Sequence, residues 1–258
     1  MWKCVMKRWW LCVAVLLLAM AAAAEEIPPG TVLPVMLNST LDARKMKPGH
    51  RITARLMQDV VLPGGRRLRA GSRIDGQVIS ADSTANGSRL VLRMDRAVTQ
   101  GRELTITTHL RALASMMEVY EAQMPTNNWD DYGTTTSDWT TVQVGGDVVY
   151  RGNGHVYSEG QIVGKATDSG LVTAKLRPAA KLGCRGEVYG NDREQSLWVF
   201  STAACGTYGF TDLDVSHAGR SEPIGEIVLA SKGNVHIPSG SGMLLRVGVE
   251  PASGAKQP

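Results

Sequence analysis

The chain has 258 residues, with 28 Lys and Arg against 24 Asp and Glu, a formal net charge of +4, and only two Phe. Three of the basic residues, Lys3, Lys7 and Arg8, and none of the acidic ones fall in the first 24 positions, so the remainder carries 25 against 24, a net of +1. That balance argues against nucleic acid as a partner, because no bulk positive field survives; the local run Arg66-Arg67-Leu68-Arg69 reads as solvated charge beside a turn.

The first element in chain order is a secretion signal over 1–24. A basic n-region is followed by the apolar run Leu11–Met20 and by Ala21-Ala22-Ala23-Ala24, which satisfies an A-x-A cleavage rule through Ala22 and Ala24. About 20 apolar residues are needed to span a bilayer, and this run is shorter, so the reading is a cleaved signal, with a retained anchor as the alternative. The mature chain is expected to begin at Glu25, to hold no transmembrane helix, and to reside in the periplasm, at the outer membrane or outside the cell.

Short alternating runs then recur between Gly, Pro, Asn and Asp. They are Thr31–Leu37, Arg51–Met57, Arg73–Ile79, Arg89–Met94 and Glu103–His109, and later Asp147–Arg151, Leu171–Arg177, Leu197–Ser201, Ile224–Ala230 and Met243–Val249. Period-two alternation at this density predicts half-buried strands in a sandwich or barrel. Leu110–Gln123 alone offers helical spacing, through Leu110, Leu113, Met117 and Tyr120, with a continued strand as the alternative. Met116 and Met117 are expected to be packing residues.

Pro125–Thr141 is polar and without apolar period. Its Trp129, Asp130, Asp131, Tyr132 and Trp139 place flat apolar faces beside acceptors, a pattern suited to sugar rings or, through the carboxylates, to Ca²⁺. The other reading is that the two Trp anchor a long loop. Arg151-Gly152-Asn153-Gly154-His155 lacks the Lys-Ser/Thr of a phosphate loop and reads as a hairpin turn.

Cys4 and Cys12 leave with the signal, and Cys184 and Cys205 remain, a single pair with one connectivity in an oxidising compartment. Strands at Gly186–Tyr189 and Ser196–Phe200 would bring the two sulfurs together across a hairpin. There is no C-x-x-C, and zinc would need two more ligands. His217 follows Asp212, Asp214 and Ser216, but no G-x-S-x-G elbow accompanies it, so a hydrolase using His217 is the weakest reading. His50, His109, His155 and His236 show no metal spacing. No catalytic residue, metal or cofactor is assigned.

A corner motif repeats. Ile27-Pro28-Pro29-Gly30-Thr31, Arg69-Ala70-Gly71-Ser72 and Ile237-Pro238-Ser239-Gly240-Ser241 each place Gly and then a hydroxyl residue before an outgoing strand. These corners and their strands, IPPGTVLPVMLNSTLDA, RITARLMQDVVLPGGRRLRAGSRIDGQV, RLVLRMDRAVTQGRELTI and HIPSGSGMLLRV, resemble the C-terminal β-barrel domain of the TrbI-like conjugation and type IV secretion family. The resemblance covers about 27–110 and 235–249 and implies that the last strand closes the barrel against the first. It also marks departures. Members of that family carry an uncleaved transmembrane helix, a Pro-rich stalk and a pair of antenna helices that form the outer-membrane pore. This chain has a cleavable signal, and 125–232 holds no amphipathic helix pair, so the pore and its transfer function do not carry over. The segment GCRGEVYGNDREQSLWVFSTAACGTYGF also resembles uncharacterised exported bacterial proteins.

The expectation is therefore a mainly β protein: a small β-barrel closed by the C-terminal strand, with an inserted disulfide-containing β segment. Its parts are the signal at 1–24, the first part of the barrel at 25–114, the insert at 115–232, the closing strand at 233–250 and a tail at 251–258. The expectation is a non-enzymatic exported cell-envelope protein with a structural or interaction role, its partner an envelope protein or a glycan. The alternative is a glycan-binding module using the Trp129–Trp139 loop.

Overall fold

The computed structural model describes residues 27–126, 140–151, 153–167, 171–178, 184, 192–216 and 225–248. They fold as a mainly β protein built on a nearly closed, barrel-like sheet of ten strands. Its members are β1 (Val32–Leu37), β3 (Arg51–Leu56), β6 (Arg73–Thr84), β7 (Gly87–Thr99), β8 (Arg102–Thr105) and β9 (Thr108–Ala114), joined by β16 (Gly206–Tyr208), β17 (Leu213–Ser216), β18 (Ile227–Ser231) and β20 (Gly242–Val247). The spatial order is β16-β9-β20-β1-β3-β6-β7-β18-β17, with β8 hydrogen-bonded to β7. The two ends of that path are consecutive in sequence, and the Thr207 hydroxyl of β16 donates to the Leu213 carbonyl of β17 at 3.2 Å. Closure leaves few open strand edges.

The C-terminal strand lies where the sequence placed it. β20 runs antiparallel to β1 in the register Val32↔Arg246, Leu33↔Leu245, Pro34↔Leu244, Val35↔Met243, and its other side pairs with β9. Pro34 has no N–H to give a ladder, and it lies beyond the end of the β1–β3 pairing, which starts at Val35↔Leu56. Its carbonyl accepts from the Met57 N–H at 2.9 Å.

The three repeated corners share one geometry. Gly30, Gly71 and Gly240 have φ of 78°, 84° and 89°. In each, the following hydroxyl residue donates its N–H three residues back, Thr31 to Pro28, Ser72 to Arg69 and Ser241 to Pro238, at 3.1–3.2 Å. A positive φ at the third position of such a turn is why glycine stands there.

A second, six-stranded antiparallel sheet is a plain meander: β10 (Thr140–Val142), β11 (Val148–Tyr150), β12 (His155–Ser158), β13 (Gln161–Ala166), β14 (Val172–Lys175) and β15 (Glu194–Ser196). It packs on the outside of the barrel over β9, β20 and β1. This explains why those strands are buried at almost every position while β3 alternates between exposed and buried. One core fills the barrel, around Leu33, Val35, Ile52, Ile74, Leu92 and Leu245. The other lies between wall and meander, where Val32, Ala112 and Leu244 meet Val149, Val172 and Phe200. Two short ladders complete the fold, β2 (Leu41–Asp42) with β19 (His236–Ile237), and β4 (Val60–Val61) with β5 (Arg67–Leu68). The segment 115–232 thus supplies strands to both sheets.

Glutamines join the two sheets. The Gln195 side chain accepts from the Val32 N–H and donates to the Gly30 carbonyl, both at 3.2 Å. Gln58 accepts from the Trp198 N–H at 2.7 Å and donates to the Thr173 hydroxyl at 3.1 Å. Buried amides satisfied on both atoms fix the docking, since a lost partner would leave a desolvated polar group.

Three local expectations are corrected. Leu110–Ala114 continues as strand, and only Met116–Glu121 is helical (α1), opened by Ser115, whose hydroxyl accepts from the Glu118 N–H at 3.3 Å. Met116 and Met117 are 49% and 56% exposed, so they are surface and not packing; Val119 is the buried residue of α1. Leu197–Ser201 is a turn: Trp198 has φ 52° and packs edge-on to Phe200, with centroids 6.5 Å apart. Gly242 permits this, because a Cβ there would meet Val119 at 2.9 Å and both aromatic rings at 3.3 Å.

Cys184 and Cys205 are disulfide-bonded, with Cα atoms 6.2 Å apart. The bond sits at the edge of the barrel sheet. Cys205 immediately precedes β16, and the Cys184 sulfur lies 3.7 Å from the Arg111 carbonyl of β9. It therefore ties Cys184 to the β16 edge of the barrel sheet. The Cys205 N–H also donates to the Tyr208 hydroxyl at 3.0 Å, and burial raises the pKa of that phenol.

Candidate functional site

The solvated wall of the barrel, β3-β6-β7, carries a cleft of about 660 Å³. Alternation sets its chemistry. Ile52, Val78 and Leu92 point into the core, so their neighbours Arg51, Gln77 and Arg93 point outward. Register makes these three adjacent: Arg51 is opposite Gln77, and Gln77 is opposite Arg93. A neutral amide thus separates two guanidinium groups across three strands, a spacing of about 10 Å between the outer strands.

A bulge adds the fourth and fifth groups. Between Asp75↔Arg96 and Gly76↔Met94 the β6–β7 register shifts, so that Asp95 is an extra residue. Bulges re-aim side chains, and here Arg93, Asp95 and Arg96 all line the cleft although Met94 is fully buried. Gly76 is required at this point, since a Cβ would stand 2.1 Å from the Arg93 carbonyl oxygen. The Asp95 carbonyl is taken by the Ile106 N–H at 2.9 Å, which draws Thr105–Thr107 up as the cleft's far side. Gly49 and Gly225 complete the rim.

Carboxylates position two of the arginines. Arg93 pairs with Glu226 at 3.2 Å, and Arg96 lies 3.8 Å from Asp95 and 4.0 Å from Glu103. Arg51 has no ion pair among the described residues. Arg93 and Arg96 each keep about two fifths of their side-chain surface exposed. The lining therefore combines guanidinium forks and one amide with the Asp95 carboxylate and with Thr105 and Thr107. Guanidinium forks can hold an oxyanion by paired N–H donation.

Trp129, Asp130, Asp131, Tyr132 and Trp139 lie outside the described residues, as do His217, the signal 1–24 and the tail 251–258. Asp212 and Asp214 are at the β17 edge. His50 is exposed, His109 is buried in β9, and His236 lies 3.8 Å from Asp42. Among the described residues no group of three His, Cys, Asp or Glu could hold a metal ion. The expected turn at Arg151–His155 is a hairpin loop between β11 and β12, with Tyr150↔His155 as its closing pair.

The arginine cleft was missed by sequence reasoning. Its residues come from five separate stretches of sequence, and only the register and the bulge bring them together. The available signal was the odd spacing Arg93-Met94-Asp95-Arg96, which puts two charged residues side by side in a strand.

No family model matches the sequence, and no curated protein matches it. Among the described residues no helix is long and apolar enough to cross a membrane. The disulfide is consistent with an exported protein.

Proposed function

We propose that the protein is a non-enzymatic, exported cell-envelope protein with a structural or interaction role, its barrel serving as scaffold and its solvated wall as contact surface. The observation that carries this reading is the cleft formed by Arg51, Gln77, Arg93 and Arg96 on a rigid sheet, with carboxylates orienting two of the arginines. Recognition groups on strands hold their geometry better than groups on loops. The export signal, the disulfide and the likeness of the corner motifs to TrbI-like barrels support an envelope setting, and β20 lies against β1 as that likeness implies. Proximity labelling from the tagged mature protein in its own envelope tests the proposal. Envelope proteins should dominate the labelled set; a labelled set drawn from the cytoplasm would refute it.

A second reading, a glycan-binding module, is favoured by the outer face of the meander. Tyr150 is 41% exposed and contacts Tyr157 edge-on at 5.1 Å, and His155 stands 6.0 Å from Tyr157. Such faces stack on sugar rings. The strand before them, β10, begins directly after Trp139 in sequence. If this reading is right, Tyr150→Ala with Tyr157→Ala loses retention on envelope polysaccharide while Arg51→Gln keeps it. Equal retention by both variants would discard it.

A further inference from the structure

We infer that the cleft on β3-β6-β7 is a binding site for a phosphate group, supplied by a lipid headgroup or by a soluble phosphate ester; this rests on the interaction reading above and names its ligand. Three observations converge. First, Arg51 and Arg93 flank Gln77 on adjacent strands, which sets two cationic forks and an amide donor around one opening. Second, the β7 bulge brings Arg96 to the same opening as Arg93, which an unbroken strand would not do. Third, three carboxylates offset the three arginines in formal charge but are unevenly placed, which leaves one guanidinium unmatched. Glu226 occupies one edge of Arg93, Asp95 and Glu103 stand at 3.8 Å and 4.0 Å from Arg96, and Arg51 faces the cleft with no ion pair among the described residues.

Phosphate fits this geometry better than a single carboxylate. Its oxygens point in several directions and can accept from Arg51, Arg93, Arg96 and Gln77 together, and Thr105 and Thr107 line the same volume. A carboxylate offers two oxygens in one plane and would engage one fork at a time. The volume, about 660 Å³, also exceeds what inorganic phosphate fills, which leaves room for the group esterified to it.

The test is a titration of the purified mature protein with inorganic phosphate and with inorganic pyrophosphate, followed by the arginine Nε–H resonances in nitrogen-correlated spectra. Saturable shifts are expected at Arg51, Arg93 and Arg96. Arg51→Gln should weaken phosphate binding at least fivefold, and because Arg51 makes no ion pair among the described residues its loss leaves the fold's own pairs in place. Arg67→Gln on β5 is the control and should bind as the parent does. Vesicles of phosphatidylglycerol and of phosphatidylcholine distinguish the sources. Capture by the former alone, lost in Arg51→Gln, assigns a lipid headgroup; phosphate binding without vesicle capture assigns a soluble ester. Absence of saturable shifts at the cleft arginines, or equal affinity in Arg51→Gln and Arg67→Gln, overturns the inference. Because this titration needs no envelope, its failure removes the ligand and leaves the envelope role to the labelling experiment.

Discussion

Leu37 and Val247 stand at opposite ends of the β1–β20 pair and play the same part. The Leu37 N–H donates to the Ser241 carbonyl at 3.0 Å and its carbonyl accepts from the Gly240 N–H at 2.9 Å. Val247 makes the same two bonds to Thr31 and Gly30, each at 2.8 Å. Leu56 repeats the arrangement with Ser72 and Gly71 at 2.8 and 2.7 Å. Each corner motif is therefore a clamp on the end of the neighbouring strand, and the first and last strands of the barrel clamp one another.

The clamp depends on left-handed backbone at its glycine. Gly71→Ala has open space around the new Cβ, so the cost is backbone strain alone, about 1–2 kcal/mol. Gly240→Ala adds a contact with Met116 at 3.3 Å and should cost more. Urea unfolding of the two variants checks both values, and a neutral Gly71→Ala would mean that the turn relaxes.

The second sheet is held partly by the space that Gly242 leaves. Gly242→Ala should cost about 1–3 kcal/mol, because it drives a methyl group into Val119, Trp198 and Phe200. Trp198 fluorescence should shift to the red as the meander loosens from the wall. An unchanged spectrum with unchanged stability would show that the aromatic pair can move aside.

The disulfide closes a stretch with a sequence separation of 21. Replacing both cysteines by serine should lower stability by about 3 kcal/mol, on the chain-entropy account. Non-reducing peptide mapping of the native protein should recover one cross-linked peptide joining Cys184 to Cys205. Two free thiols in the freshly isolated protein would contradict the fold at this point.

Acid should loosen the β2–β19 ladder first. The Asn234 amide, 2.9 Å from Asp42, is the main cause holding the Asp42 carboxyl below its ordinary range, helped by the Arg44 N–H, Lys45 and His236 and opposed by burial. A carboxyl with a depressed folded-state pKa contributes stability above its unfolded pKa, and that contribution is lost as pH falls through the folded value. Stability should therefore drop from about pH 4 downward. Asp42→Asn should start about 1–2 kcal/mol less stable at neutral pH and show a shallower acid slope. Parallel slopes for parent and variant would place the acid-sensitive group elsewhere.

Much of the barrel was legible before any coordinates. Period-two runs such as Arg51–Met57 became half-buried strands, and the shared Ile-Pro-x-Gly-Ser/Thr grammar at Pro28 and Pro238 marked the two strands that meet. Other parts were not legible because they depend on contacts distant in sequence. Leu197–Ser201 has a strand's composition, yet the bond from its Trp198 N–H to Gln58, 140 positions away, accompanies a turn. Leu110–Tyr120 has helical spacing, but its first half is held as strand by pairing with β20. The arginine cleft was hidden for the same reason: nothing near Arg51 in sequence says that Gln77 and Arg93 will be its neighbours.

The position of β20 between β1 and β9 also sets an order of events. A chain that leaves the cell N-terminus first delivers β1 early, with apolar side chains on both faces and one long edge without its partner. That edge stays open until residues 242–247 have followed, so the barrel cannot close while the chain is still in transit. Contacts this far apart in sequence form slowly, and the waiting strand is vulnerable to pairing with another copy. Under the export proposed above, this topology means that nothing stable assembles before the last strand has crossed.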